Sequence, residues 1–360
     1  MFLALALAPL LVTLDSWEGW KAIAETQGWQ WAAFEKGLCT DSGVKELEAF
    51  IGARQDVDAD RVYLAARGDA APCVFYAVSR IPHLWAAAVA VEGNPRRAIE
   101  TNRLFSANLQ MTPVLWIIQP DPERRRIPGI AETSDASAEN LVRFLSKFRR
   151  VRFPLKVDYE TGSLNFLRCY WLEIVKPDPA RRNDALPVSR VPPGSGAYLA
   201  LGGFGYDPKK EGPGAEVVWL PPDYKGPLKL GDRIVAIAGR PVDSGRDYAR
   251  YMEEAREERA VVVTVQRGKE RLRLDTRIVL PKREENLTVR VQAEVQPETK
   301  EILLISRGVA AVKLTIPEAW APAAVNWNGN ASPPLNQPGC HLLADNGGAI
   351  TVTPCTEAEP

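Results

Sequence analysis

The stretch Leu228 to Val242, LKLGDRIVAIAGRPV, constrains this chain more than any other. Gly231-Asp232 predicts a tight turn, because glycine tolerates positive φ and aspartate bonds nearby backbone. Ile234, Ala236 and Ala238 alternate with Val235, Ile237 and Gly239, which predicts a short strand buried on both faces. Ala238-Gly239-Arg240 predicts a second turn, and Pro241-Val242 leads out of it. Ten Trp and 29 Pro fit a β-rich, loop-rich protein better than a helical bundle.

The flanks extend this pattern. Tyr198–Leu201, Glu216–Leu220, Val261–Gln266 and Arg271–Leu280 read as strands, and Asp243 or Ser244 can cap a helix over Gly245–Glu258. The spacing L-x-x-G-D-x-I-x-x-I-x-G-x-x-V resembles the core of a bacterial PDZ domain. The resemblance implies a PDZ-like β-barrel with one main helix over residues 197–283. It also implies β-augmentation by peptide C-termini, without chemistry. Gly203, Phe204, Gly205 and Tyr206 then occupy the carboxylate-binding loop, where successive amides form a nest. Tyr248, Tyr251 and Met252 face the groove or form core. Two stretches depart from the family pattern: Asp207–Gly214 is extra, and Pro221–Lys225 replaces the usual short helix.

Residues 1–150 alternate strand and helix. Strands are expected over Pro9–Leu14, Trp29–Phe34, the second half of Val57–Ala66, Trp85–Val91 and Val114–Ile118. Helices are expected over Trp17–Gln27, Gly43–Gln55, Ala70–Arg80 and Asn140–Phe148. Repeated βα units predict a mostly parallel sheet with helices on both faces. The segments VDADRVYL (57–64), IPHLWAAA (81–88) and PVLWI (113–117) resemble α/β-hydrolases of the polyhydroxybutyrate-depolymerase and prolyl-oligopeptidase-like esterase type. That resemblance implies a G-x-S-x-G nucleophile elbow after the strand ending at Leu64. Here those positions read Ala66-Arg67-Gly68-Asp69-Ala70, so glycine stands where the serine would be. Asp121 occupies the acid position. No histidine lies in the stretch 123–138, and the chain has only His83 and His341. Asp15-Ser16-Trp17 replaces the His-Gly that the family places after its first strand. Ser16, Ser79 and Ser195 lack an elbow context, and Asp69 lies one place beyond the nucleophile position. The positions Gly68, Asp69 and Asp121 therefore read as vestigial, since a serine relay needs a base bonded to the nucleophile. The favoured expectation is a non-catalytic peptide-binding scaffold; the alternatives are an active serine or carboxylate hydrolase, esterase or peptidase, whose substrate the PDZ-like part helps bind, and an insert that is structural and binds nothing.

Phe153–Val157 and Leu167–Ile174 read as strands that open a small β-sandwich-like domain, with a Pro/Arg/Gly-rich linker over Lys176–Gly196. The alternating stretches 287–295, 301–306 and 309–316 and the strand Ala349–Thr353 continue it. The expected organisation is α/β plus all-β: a hydrolase-like domain over 1–150, a β-domain split into 151–176 and 284–360, and the PDZ-like insert. Equal numbers of basic and acidic residues, 45 each, give no net field for nucleic acid. Nothing in the sequence suggests a cofactor. Five cysteines without a CxxC pair disfavour a zinc or redox site. They read as scattered buried thiols, or Cys340 and Cys355 join if the protein is exported. The apolar start, Met1–Val12, is too short to span a bilayer and lacks a basic leader. A buried strand is the favoured reading there, and both cytoplasmic and exported locations stay open.

Overall fold

The computed structural model describes residues 7–37, 39–100, 104–119, 126–178, 188–190, 196–282, 284–286 and 288–355. It divides into two compact units, Met1–Val188 with Asn286–Pro360, and Ser189–Glu285.

The first unit contains a six-stranded sheet, parallel throughout. Its spatial order is Gln30–Ala33, Ala8–Thr13, Val57–Arg67, Ala87–Val91, Val114–Ile117, Ile130–Thr133. The strands Ala87–Val91 and Val114–Ile117 are buried along their whole length, as continuous apolar runs require when helices cover both faces. The order reverses between the first and third strands in sequence. In such sheets the ligand crevice lies beyond the carboxyl ends of the strands at that reversal. Ile130–Thr133 falls in a stretch for which the sequence suggested no strand. Four residues at the sheet edge are too short to show a period. The strand expected after a turn at Val57 instead runs unbroken from Val57 to Arg67.

Two five-stranded sheets complete this unit. One runs Asn330–Ala331, Ala324–Trp327, Glu301–Arg307, Val289–Gln296, Lys156–Thr161. The other runs Ile350–Pro354, Gly339–Asp345, Val309–Ile316, Leu172–Pro177, Arg168–Cys169. Their inner faces enclose one core that includes Tyr159, Trp171, Leu304, Leu314, Trp327 and Leu343. A buried polar tie joins this sandwich to the parallel layer. Asn108 is 1% exposed, and its amide donates to the Ser79 carbonyl (2.8 Å) and the Glu160 carbonyl (2.7 Å). It accepts in turn from the Glu160 amide at 2.8 Å. All three bonds are made where water is excluded, so losing the side chain would orphan buried backbone groups.

The cysteines are not scattered thiols. Cys39 bonds Cys73 and Cys340 bonds Cys355, leaving only Cys169 as a buried thiol. The first pair is brought together by backbone proximity. Gly43, in the first turn of Asp41–Gly52, lies so close to the Gly37 carbonyl that a Cβ would sit 1.6 Å from that oxygen. The loop carrying Cys39 therefore folds onto the helix start, toward the Ala71–Arg80 helix and Cys73.

In the second unit one sheet runs Tyr198–Leu199, Glu270–Val279, Arg259–Arg267, Arg233–Ile237, Ala215–Trp219, Gly205–Tyr206, with Arg240–Pro241 paired to Arg233–Ile237. The helix Gly245–Glu254 packs on it. Arg233–Ile237 is not buried on both faces: Ile234 and Ile237 are buried, whereas Arg233, Val235 and Ala236 are half-exposed. A sheet covered on one side leaves its outer face to water.

Candidate functional site

The opening motif builds the frame of the second unit. Gly231 has φ +83°, and Asp232 behind it is 1% exposed. Its carboxylate accepts from the Lys229 amide (2.7 Å), from Arg267 Nε (2.8 Å) and from Arg267 Nη2 (2.7 Å). Burial pushes this carboxyl up, but the Arg267 guanidinium and the Lys229 amide outweigh it and hold the group below the usual carboxylate range. Ala238 and Gly239, both at positive φ, form the two-residue loop that turns Arg233–Ile237 into Arg240–Pro241.

This frame carries Ala215–Trp219, and on its outer side the edge strand Gly205–Tyr206. Gly205 lies opposite Trp219 and Tyr206 opposite Val217, with a register shift between them. Gly202, at φ +85°, bends the chain into this edge, and Gly203 is exposed. Among the described residues the amides of Gly203 and Phe204 meet no acceptor. Gly203, Phe204, Gly205 and Tyr206 thus form one loop at the sheet edge. Tyr248, Tyr251 and Met252 lie on the buried face of the helix, 3%, 9% and 6% exposed, within the core of this unit. Only Tyr248 also supports the loop. Its ring centroid stands 4.7 Å from Tyr206 and 6.1 Å from Phe204, both edge-on.

The reversal point of the parallel sheet is built differently. The strand ends at Arg67, Gly68 turns at φ +60°, and one 3-10 turn, Gly68–Ala70, leads into the Ala71–Arg80 helix. This is a sharp strand-to-helix turn with no side chain at its apex. A Cβ on Gly68 would have the Glu92 carboxylate as its nearest neighbour, at 4.0 Å. Asp69, next along, is exposed.

Asp15, just beyond the first strand, occupies the crevice. Its Oδ2 accepts from the Arg67 amide at 2.7 Å and its Oδ1 from the Trp17 amide at 2.9 Å. The Trp20 indole donates to the same carboxylate, and the Arg67 guanidinium lies over the Trp17 ring. Neither histidine approaches. His83 follows the far end of the Ala71–Arg80 helix, and its ring meets Tyr170 edge-on. Burial, then the charges of Arg168, Arg150 and Lys45, lower its pKa to about 3, so it is neutral at ordinary pH. His341 belongs to the β-sandwich, 2.8 Å from the Gln337 carbonyl. Asp121 and Ser195 lie outside the described residues. Ser79 is buried in its helix. Gly68 and Asp69 are therefore adjacent, with neither histidine beside them. Among the described residues there is no His/Cys/Asp/Glu group suited to a metal ion, and no helix long and apolar enough to cross a membrane.

Sequence reasoning missed Asp15, whose signal was its place directly after a buried strand. It also missed Arg267, which lies 35 residues from Asp232 and so gives no local signal.

No curated protein matches the chain. A solved aminopeptidase N family protein from Idiomarina loihiensis is 19% identical, over 32% of this chain and 20% of that one, with a TM-score of 0.18. This chain thus spans a fifth of that protein's length, and a likeness so low carries no argument about fold or activity. Residues 203–278 match the PDZ domain family, beginning at the exposed Gly203 and ending in the last long strand of the second unit. A PDZ domain is present there.

Proposed function

We propose that the protein is a non-catalytic binding scaffold, in which the PDZ domain takes peptide or protein C-termini by β-augmentation and the same chain carries a degenerate hydrolase-like domain. The observation that carries this reading is the edge loop: among the described residues the amides of Gly203 and Phe204 have no acceptor, and the strand next to them has no partner on its outer side. A terminal carboxylate supplies the acceptors, and an added strand continues the sheet. For the other region, the strand order and the sharp turn at Gly68 favour descent from an esterase-like fold. The missing hydroxyl and histidine favour loss of its chemistry.

The two cystines also favour folding in an oxidising compartment, outside the cytosol.

A C-terminal peptide array on the full chain tests the binding part. Peptides with a free carboxylate should bind and their amides should not. Gly205→Val should weaken binding roughly tenfold or more, because its Cβ would press to 3.1 Å on Trp219. Fluorophosphonate labelling with p-nitrophenyl ester turnover tests the other part; a labelled serine would sink the non-catalytic reading.

A further inference from the structure

The edge at Gly205–Tyr206 is only two residues long, and the segment that begins at Asp207 follows it directly. The helix begins at Gly245, and a Cβ there would stand 2.7 Å from the Asp207 carbonyl oxygen and 2.8 Å from Pro208 Cα. Helix start and chain are thus in backbone contact immediately beyond Tyr206, leaving no room for a third strand between them. Pro208 has no N–H to offer an incoming peptide. The Asp207 carbonyl is already used by the Lys210 amide at 3.2 Å, and the Asp207 side chain caps the Lys209 amide at 2.8 Å.

The segment is also strapped down. Arg233 donates to the Pro213 carbonyl at 3.1 Å, and Arg233 and Lys210 both pair with Glu216. At the loop, the rings of Phe204 and Tyr206 both pack edge-on against Tyr248, so the side of the loop that faces the helix is crowded with aromatic rings.

We infer that this site reads no more than the last two residues of a peptide, and that the last side chain must be small. The inference rests on the peptide-binding reading above. The Asp207–Gly214 strap is the element that sets the limit. Specificity then comes from the carboxylate and one small residue, and longer contacts require the strap to leave.

N-acetylated peptides of two, four and eight residues, sharing an Ala-Ala terminus, are titrated by NMR into the full chain. The Kd should change by less than roughly threefold across the series, and a terminal Phe should bind roughly tenfold more weakly than Ala. Tightening of tenfold or more with length, or preference for Phe, would overturn the inference while leaving peptide binding intact. Glu216→Ala, which frees Lys210 of the strap and removes the carboxylate that positions Arg233 against the Pro213 carbonyl, should let the eight-residue peptide gain over the two-residue one. Equal affinity for both lengths in that variant would count against the strap. Binding by no peptide at any length would overturn the peptide-binding reading, and this inference with it.

Discussion

Both regions of interest place glycine at a bend beside a strand, yet the two bends differ in what their backbone donors meet. At the Gly68 turn the Arg67 amide is taken by the Asp15 carboxylate, which also holds the Trp17 amide and the Trp20 indole. At the Gly203 loop the amides of Gly203 and Phe204 have no acceptor among the described residues. A nest can receive an external anion only while its donors lack an internal one. The first bend is closed by the chain's own charge. The second is open toward solvent but shortened by the strap. Glycine at a bend therefore says little about function until the fate of the neighbouring N–H groups is known.

The largest effect is expected from removing the frame of the open site. Asp232→Ala leaves Arg267 and the Lys229 amide without their buried acceptor and should cost about 3 kcal/mol. Thermal melting should show the second unit unfolding first and peptide binding lost with it. Acid should act on the same contact. The folded carboxyl titrates below the unfolded value of about 3.9. Its stabilisation is therefore complete above that pH and fades as pH falls through the folded value. The gap in Tm between the wild type and Asp232→Asn should be constant from pH 7 to pH 5 and shrink toward pH 3. A gap that widens in acid would contradict the assigned ion pair.

A smaller effect is expected at the closed bend. Asp15→Asn keeps the shape but removes the charge from three N–H donors, and should cost about 1–2 kcal/mol. Denaturant unfolding measures it; an unchanged midpoint would show that Asp15 does not close the crevice. Gly68→Ser should have the least consequence. It places a hydroxyl at the bend for about 1 kcal/mol of left-handed strain, and no ester turnover should appear, because neither histidine reaches it. Turnover in this variant would reverse the assignment of the first bend as inert.

Much of this arrangement was legible in the residues. The Gly231-Asp232 turn, the Ala238-Gly239 turn and the strand between them follow from local backbone preferences. The helix start at Ser244, where the hydroxyl accepts from the Asp247 amide, is equally local. The strand-helix alternation of the first 150 residues follows from apolar periodicity. The short strand Ile130–Thr133 carried too little pattern to be seen. The burial of Tyr248, Tyr251 and Met252 was undecided in sequence, since a helix face toward a groove and one toward a core have the same spacing.

The local devices are written in the residues themselves: the glycine turns, the caps, the periodic strands, and the lack of a serine and a histidine at the positions where a hydrolase would need them. Which distant groups meet is set by the packing of the folded chain. Arg267 reaches Asp232 across 35 residues, Cys39 reaches Cys73 across 34, and Gly245 closes on Asp207. Turn and helix preferences act within a few residues, so they are written locally. Donor satisfaction, disulfide pairing and groove width depend on how strands and helices pack, and no short stretch of residues encodes that alone.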